Sequence, residues 1–149
     1  MAKGSEVQNT IFENLVKHLV EVEEQKEKLL EEYFPEPSKE RDELKKLIAN
    51  YIKNLESLIE ESHKSEATNT SLPFVAIGSE VEIQDLSTQE VQRFRLVTPF
   101  SGEIGGNDVS YISPVGRALL LKRVGDEVTA NVPAGILRYK INSIKWHGD

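Results

Sequence analysis

The chain has 149 residues, enough for one ordinary domain or two small ones. Its 38% hydrophobic and 29% charged residues predict a folded protein rather than a disordered one. It has no cysteine, which excludes disulfide bonds and thiolate metal sites and agrees with a reducing cytoplasm. The net charge of −7 lies mostly in the first 72 residues, which hold 10 Lys and Arg against 16 Asp and Glu; since DNA phosphates require a basic face, we expect no direct sequence-specific binding to DNA.

The first ten residues are polar and contain neither an apolar core nor a small-residue cleavage site. We therefore expect no signal peptide. No apolar run reaches the ~20 residues that a membrane-spanning helix requires. These observations favour a cytoplasmic protein that does not act at a membrane.

A first helix is predicted from Thr10 to about Tyr33, because apolar residues recur there at alternating steps of three and four. Thr10 and Glu13 have the spacing of a capping box. Pro35 and Pro37 end the helix, since proline lacks a backbone donor and restricts the residue before it. The predicted seam consists of Phe12, Leu15, Leu19, Val22, Leu29 and Tyr33.

A second helix is predicted from Ser38, a good N-cap residue that acidic residues follow in the first turn. Its seam consists of Leu44, Ile48, Tyr51, Leu55 and Leu58. Two such seams joined by a short turn predict an antiparallel helical hairpin about 36 Å long, at ~1.5 Å per residue. The apolar surface left over permits dimerisation or docking, and we expect a monomer.

After residue 72 the period of the apolar residues changes to two, which predicts strands. Ser113 and Pro114 begin a short helix, with serine as N-cap and proline at the first helical position. The fold class is therefore α+β: an antiparallel helical hairpin (coiled coil), then a small antiparallel sheet with one short helix. The remaining predictions are strands near residues 81–83 and 91–96, a loop over 98–108, and strands over 127–132 and 136–146.

The stretch between the two halves is polar and aperiodic, as linkers are. We predict a coiled-coil finger over residues 1–62, a linker over 63–74 and a C-terminal domain over 75–149.

The histidines have no metal-ligand spacing, and no motif pairs one with a nucleophile. His18 is expected on the first helix but off its seam, His63 in the linker and His147 near the end. We predict no metal site of the protein's own and no stably bound cofactor.

The segment from Ser113 to Gly135 reads SPVGRALLLKRVGDEVTANVPAG. It resembles the C-terminal domain of the bacterial Gre (GreA/GreB) transcription elongation factors. In that family a Ser-Pro-aliphatic-small-Arg-Ala-Leu helix precedes a basic stretch, a Gly-Asp turn, a strand and Pro-x-Gly. The similarity extends upstream to residues 77–81, where the family begins its first strand after a glycine turn, and covers residues 75–146.

This resemblance implies an FKBP-like C-terminal domain that docks at the rim of the RNA polymerase secondary channel. The coiled coil then enters that channel. Ser113, Pro114 and Arg117 lie where the family engages the polymerase β′ subunit. The simpler interpretation is that Ser113 and Pro114 only begin a helix and that Arg117 forms an internal ion pair.

The hairpin tip departs from the family. Cleavage-active members carry Gly-Asp-Leu-x-Glu-Asn-Ala-Glu-Tyr there, whose acidic residues help to hold a second magnesium ion of the polymerase, whereas residues 31–40 read EEYFPEPSKE. No catalytic carboxylate carries over by position. The tip carboxylates that can share magnesium with the polymerase active centre are Glu31, Glu32, Glu36 and Glu40.

Simpler interpretations of the tip are also open. The carboxylates can form a solvated acidic helix end. Tyr33 is expected to pack as the last seam residue, and Phe34 either packs over the hairpin end or contacts a partner.

The resemblance implies a Gre-type regulator that binds RNA polymerase and modulates elongation or transcript cleavage. It is not an enzyme, since the polymerase performs any cleavage. Alternatives are an inhibitor or competitor that occludes the channel, a scaffold that dimerises, and an FKBP-like peptidyl-prolyl isomerase. The isomerase needs a pocket ringed by aromatic residues, for which residues 73–149 offer Phe74, Phe94, Phe100, Tyr111, Tyr139 and Trp146.

Overall fold

A computed structural model describes residues 10–62, 72–100 and 105–146. The chain divides into two compact units, with the boundary between residues 69 and 70. The first unit contains α1 (Ile11–Tyr33) and α2 (Lys39–Ser62). The second contains β1 (Ser79–Asp85), β2 (Val91–Val97), β3 (Asp108–Ser110), α3 (Pro114–Leu119), β4 (Glu127–Val132) and β5 (Gly135–Trp146).

The start of α1 is the predicted capping box. The Glu13 amide donates to Thr10 Oγ1 at 3.1 Å, and the Thr10 amide donates to Glu13 Oε1 at 2.9 Å. Two of the amides at the helix start that have no partner within the helix are thereby satisfied. The start and end predicted for this helix are confirmed.

α1 and α2 pack against each other along the predicted seams, which confirms the helical hairpin. Leu15, Leu29, Leu44 and Leu55 are completely buried. Each fully buried leucine contributes about 2 kcal/mol relative to an exposed one. The other buried apolar residues of the hairpin are Val22, Leu30, Ile48 and Tyr51.

Two predictions about the α1 seam were wrong. His18 lies on the buried face, with its Nε2 2.7 Å from the Tyr51 hydroxyl of α2, because that hydroxyl supplies the polar partner that a buried imidazole needs. Tyr33 is 42% exposed, and Leu30, 3% exposed, is the last buried residue of the helix. The helix ends at Tyr33, so no further turn covers this ring.

The second unit is a five-stranded sheet in the order β3-β2-β1-β5-β4. The pairs β1–β2, β1–β5 and β4–β5 are antiparallel, as predicted, and β1 has a bulge between Glu82 and Ile83. The short helix α3 is also confirmed. β3 was missed: it pairs in parallel with β2 at the end of the predicted 98–108 loop, of which residues 101–104 lie outside the described residues. Its three residues are too few to show a period.

The inner face of the sheet forms the core of this unit, with Val81, Ile83, Leu96 and Ile141 at most 1% exposed. Trp146 is 1% exposed and donates its indole N–H to the Ile77 carbonyl at 3.0 Å. This bond ties the end of β5 to the segment before β1.

That segment begins inside the predicted linker. Leu72 and Phe74 are buried, and Val75 exchanges backbone hydrogen bonds with Leu121 and Lys122, which follow α3. The predicted domain limits stay a prediction. In the part of the chain that the structure describes, no helix is both long and apolar enough to cross a membrane.

α3 lies very close to the backbone at the end of β3. Ser113 is its N-cap and accepts from the Gly116 amide at 3.1 Å. A methyl group on Gly116 would meet the Ser110 carbonyl, with Ser110 C and Tyr111 Cα both at 2.8 Å. Only glycine therefore fits at this position without moving the backbone.

We expect Gly116→Ala to lower the free energy of unfolding of the second unit by about 3 kcal/mol, because backbone atoms cannot yield as flexible side chains do. Urea unfolding followed by Trp146 fluorescence measures this loss. Gly106→Ala is the matched control, since nothing lies within 4 Å of its added methyl group, and it should change stability by less than about 0.5 kcal/mol. Equal effects of the two substitutions would show that α3 tolerates displacement.

We expect the first unit to lose stability as the pH falls, since burial lowers the pKa of His18 from 6.5 to about 4. The unfolded chain takes up a proton near pH 6.5, and the folded chain does so only near pH 4. The stabilisation is thus complete above pH 7 and falls by about 2 kcal/mol between pH 7 and pH 5. The free energy of unfolding of wild type and of His18→Gln, measured from pH 7 to pH 5, tests this. Glutamine keeps a polar partner for Tyr51 but does not titrate in this range. Identical pH profiles would contradict the prediction.

Candidate functional site

The hairpin tip is a turn of five residues, 34–38, that includes two prolines. The Phe34 amide closes the last turn of α1 by donating to the Leu30 carbonyl at 2.9 Å. On the other side, Ser38 Oγ accepts from the Arg41 amide at 3.0 Å, which confirms its predicted role at the start of α2. The Nε of Arg41 donates to the Phe34 carbonyl at 2.8 Å. The turn is therefore fixed at both ends.

The four tip carboxylates are all exposed. Glu31 and Glu32 lie in the last turn of α1, Glu36 in the turn and Glu40 in the first turn of α2. Glu40 is well placed for the α2 dipole, whereas Glu31 and Glu32 lie at a helix end that prefers cations. The last turn of α1 contains no basic residue. Negative charge therefore accumulates at this end of the hairpin at some cost to α1.

Among the described residues, no three His, Asp or Glu side chains lie close enough to hold a metal ion together. The tip carboxylates offer the hard oxygen ligands that magnesium prefers, and magnesium commonly takes one or two protein carboxylates with water or phosphate completing its shell. Their chemistry fits a shared ion better than an ion that the tip holds alone.

The α3 surface contains the other predicted residues. Ser113 Oγ donates to the Ser110 carbonyl at 2.7 Å as well as capping the helix, so the local role of this serine is established. Pro114 is exposed, and Arg117 is half-buried with its Nε donating to the Ile112 carbonyl at 3.0 Å. The guanidinium is thus held by its own loop, and Pro114 beside it faces solvent.

The aromatic residues of the second unit mostly fill the core. Phe74, Tyr111, Tyr139 and Trp146 are at most 4% exposed. Burial raises the pKa of the Tyr111 hydroxyl. Phe94 is half-buried and meets Tyr139 edge to face, with ring centroids 5.9 Å apart. Residues that fill the core cannot also ring an open isomerase pocket.

Arg41 was not predicted from the sequence to be a residue of the tip site. The signal that marks it is a cation in the first turn of α2, where the helix dipole favours an anion. Its contact across the hairpin could not be read from helical periodicity.

The sequence of this chain is similar to those of known transcription elongation factors. The family described as "Transcription elongation factor, GreA/GreB, C-term" matches residues 70–146. Transcription elongation factor GreA of Solidesulfovibrio magneticus is 35% identical over 113 residues, which cover 76% of this chain and 67% of that protein. GreA of Thermosipho africanus is 35% identical over 98 residues, covering 66% of this chain and 62% of that protein. The chain thus spans about two thirds of the length of these relatives.

One solved structure supports the same conclusion for the fold. The prokaryotic transcription elongation factor GreA/GreB from Nitrosomonas europaea aligns with a TM-score of 0.57 and 26% identity, covering 86% of this chain and 93% of that one. The family consists of transcription elongation factors, which are not enzymes themselves. The family match spans more than half of the chain, and the α+β arrangement agrees with it. The chain belongs to the GreA/GreB family of transcription elongation factors.

Proposed function

We propose that the chain binds bacterial RNA polymerase in the cytoplasm and inserts its hairpin tip into the secondary channel, where it modulates elongation or transcript cleavage. The second unit docks at the β′ subunit through Ser113, Pro114 and Arg117. One copy is sufficient, since Leu15, Leu29, Leu44 and Leu55 are completely buried within a single chain. Any RNA cleavage is performed by the polymerase.

The observation that carries this proposal is the concentration of exposed carboxylates around a turn that is held at both ends. Glu31 and Glu32 are placed against the α1 dipole, at a cost of about 0.3–1 kcal/mol each. These two carboxylates lower the stability of α1 and yet lie beside a turn that is held at both ends. Such a placement is typical of side chains that act on a partner. A merely solvated helix end has no need of it.

The carboxylates act on a magnesium ion at the polymerase active centre. A second metal ion supplies activation of water and stabilises charge on the leaving oxygen in phosphodiester hydrolysis. Glu31, Glu32, Glu36 and Glu40 would orient this ion or its water shell. Two prolines flank Glu36, and the other three carboxylates lie on the ends of α1 and α2.

Occlusion of the channel is the second candidate function. Two observations favour it: the tip lacks the motif of cleavage-active members, and its carboxylates do not gather into a metal cluster within the described residues. To occlude the channel, the hairpin needs only to be stiff and to fit its width. The negative charge of the tip would then compete for the magnesium ion.

RNA cleavage in a stalled, backtracked elongation complex separates these functions, measured with and without the protein at low and high magnesium. Faster cleavage identifies a cleavage factor, and slower cleavage or elongation identifies a plug. No change with either readout, while binding is confirmed separately, would contradict an action of the tip in the channel.

We expect replacement of all four tip carboxylates by alanine to abolish the effect on transcription in either direction and to leave polymerase affinity within about threefold, since the tip acts and does not anchor. The matched control replaces four exposed glutamates away from the tip (Glu21, Glu23, Glu24 and Glu56), which changes the net charge equally. The control should keep the wild-type effect. Loss of binding in parallel with activity would make the tip an anchor instead.

We expect Ser113→Ala combined with Pro114→Ala to raise the Kd for polymerase about tenfold while a saturating concentration restores the full effect. Fluorescence anisotropy measures the affinity. Ser113→Asn with Pro114→Ala preserves the helix cap and serves as the control for folding. If the asparagine variant binds like wild type, the loss came from the cap, and the surface assignment is wrong.

A further inference from the structure

Arg41 connects both ends of the tip turn. Its backbone amide donates to Ser38 Oγ at 3.0 Å, and its side-chain Nε donates to the Phe34 carbonyl at 2.8 Å. The first bond belongs to the start of α2 and the second to the end of α1. A single residue thus joins the two helices at the end of the hairpin that carries the acidic tip.

The Phe34 carbonyl needs such a donor. Carbonyls at a helix C-terminus have no partner within the helix and are often satisfied through a residue in the left-handed conformation. Phe34 has φ −142° and ψ 62°, which is not that conformation. The amide three residues later, which in a β-turn would donate to this carbonyl, belongs to Pro37 and has no N–H. The half-buried guanidinium of Arg41 supplies the donor, and its charge suits the negative end of the α1 dipole.

Between the two anchored residues Phe34 and Ser38 lie only Pro35, Glu36 and Pro37. Each proline ring fixes its own φ near −65°. With both ends held, little freedom remains to the backbone of Glu36. The backbone position from which the Glu36 side chain projects therefore depends on the bond from Arg41 to Phe34.

We propose that Arg41 is the positioning residue of the tip: its bond to the Phe34 carbonyl holds the turn in one conformation and so sets the effect of the carboxylates on transcription. This inference rests on the proposed function for its effect on transcription. Its structural half, the single conformation of the turn, is measured independently. Lysine does not replace arginine here, because the donor is Nε, and lysine has a CH₂ group at that position with its ammonium one bond further out.

Amide hydrogen exchange and the transcription assay, applied to the full chain, test this inference together. In Arg41→Ala the Phe34 amide should exchange about tenfold faster, while the Tyr51 amide in the middle of α2 is unchanged. The maximal effect on transcription should fall about tenfold, with the half-saturating concentration unchanged. Lys46→Ala, which removes an exposed cation of the same helix, is the matched control and should behave as wild type in both assays.

The outcomes separate the inference from the function on which it rests. Wild-type exchange at Phe34 in Arg41→Ala, or a full effect on transcription, overturns the inference. If exchange rises throughout the hairpin, Arg41→Lys decides: faster exchange confined to the amides of Tyr33, Phe34 and Glu36 supports the inference, and wild-type exchange overturns it. If the wild-type chain itself has no effect on transcription, the proposed function fails, and the exchange result alone decides whether Arg41 fixes the turn.

Discussion

The apolar seam between α1 and α2 is the interaction on which the tip depends. A hairpin of two helices has no other core, so Leu15 and Leu29 of one helix and Leu44 and Leu55 of the other, all completely buried, hold it together. In proteins most of the stability of a helix comes from packing of its apolar face. The acidic tip is therefore presented by packing and not by helix propensity.

The seam also contains a polar exception, the contact between His18 and Tyr51. A buried imidazole with one hydroxyl partner costs more to charge than an exposed one, which is the reason for its lowered pKa. Such a pair also has a specific register, because a slip of one helix along the other would leave two buried polar groups without partners. The pair therefore favours one alignment of the helices where leucines alone permit several.

The tip and the α3 surface share one kind of interaction, a hydrogen bond from an arginine side chain to a backbone carbonyl. At each, an arginine Nε donates to the carbonyl of a nearby residue: Arg41 to Phe34, and Arg117 to Ile112. Each side chain thereby fixes backbone that helix or strand hydrogen bonds do not reach. The two regions that we assign to function are thus held by side-chain contacts next to prolines, and the regular elements serve as their supports.

Many features of the protein could be predicted from its sequence, because they depend on interactions between residues that are close along the chain. The capping box of Thr10, the N-cap roles of Ser38 and Ser113, the proline-ended α1 and the two apolar periods depend on residues a few positions apart, and each is confirmed. The Gre resemblance likewise came from spaced residues within one segment. What only the tertiary structure decided depends on residues far apart in the chain: His18 is buried because Tyr51 lies across from it, and β3 is a strand because β2 accepts it in parallel. Arg41 and Phe34 are only seven residues apart, but their contact crosses from one helix to the other, so it depends on the way the hairpin closes and not on any spacing along one helix.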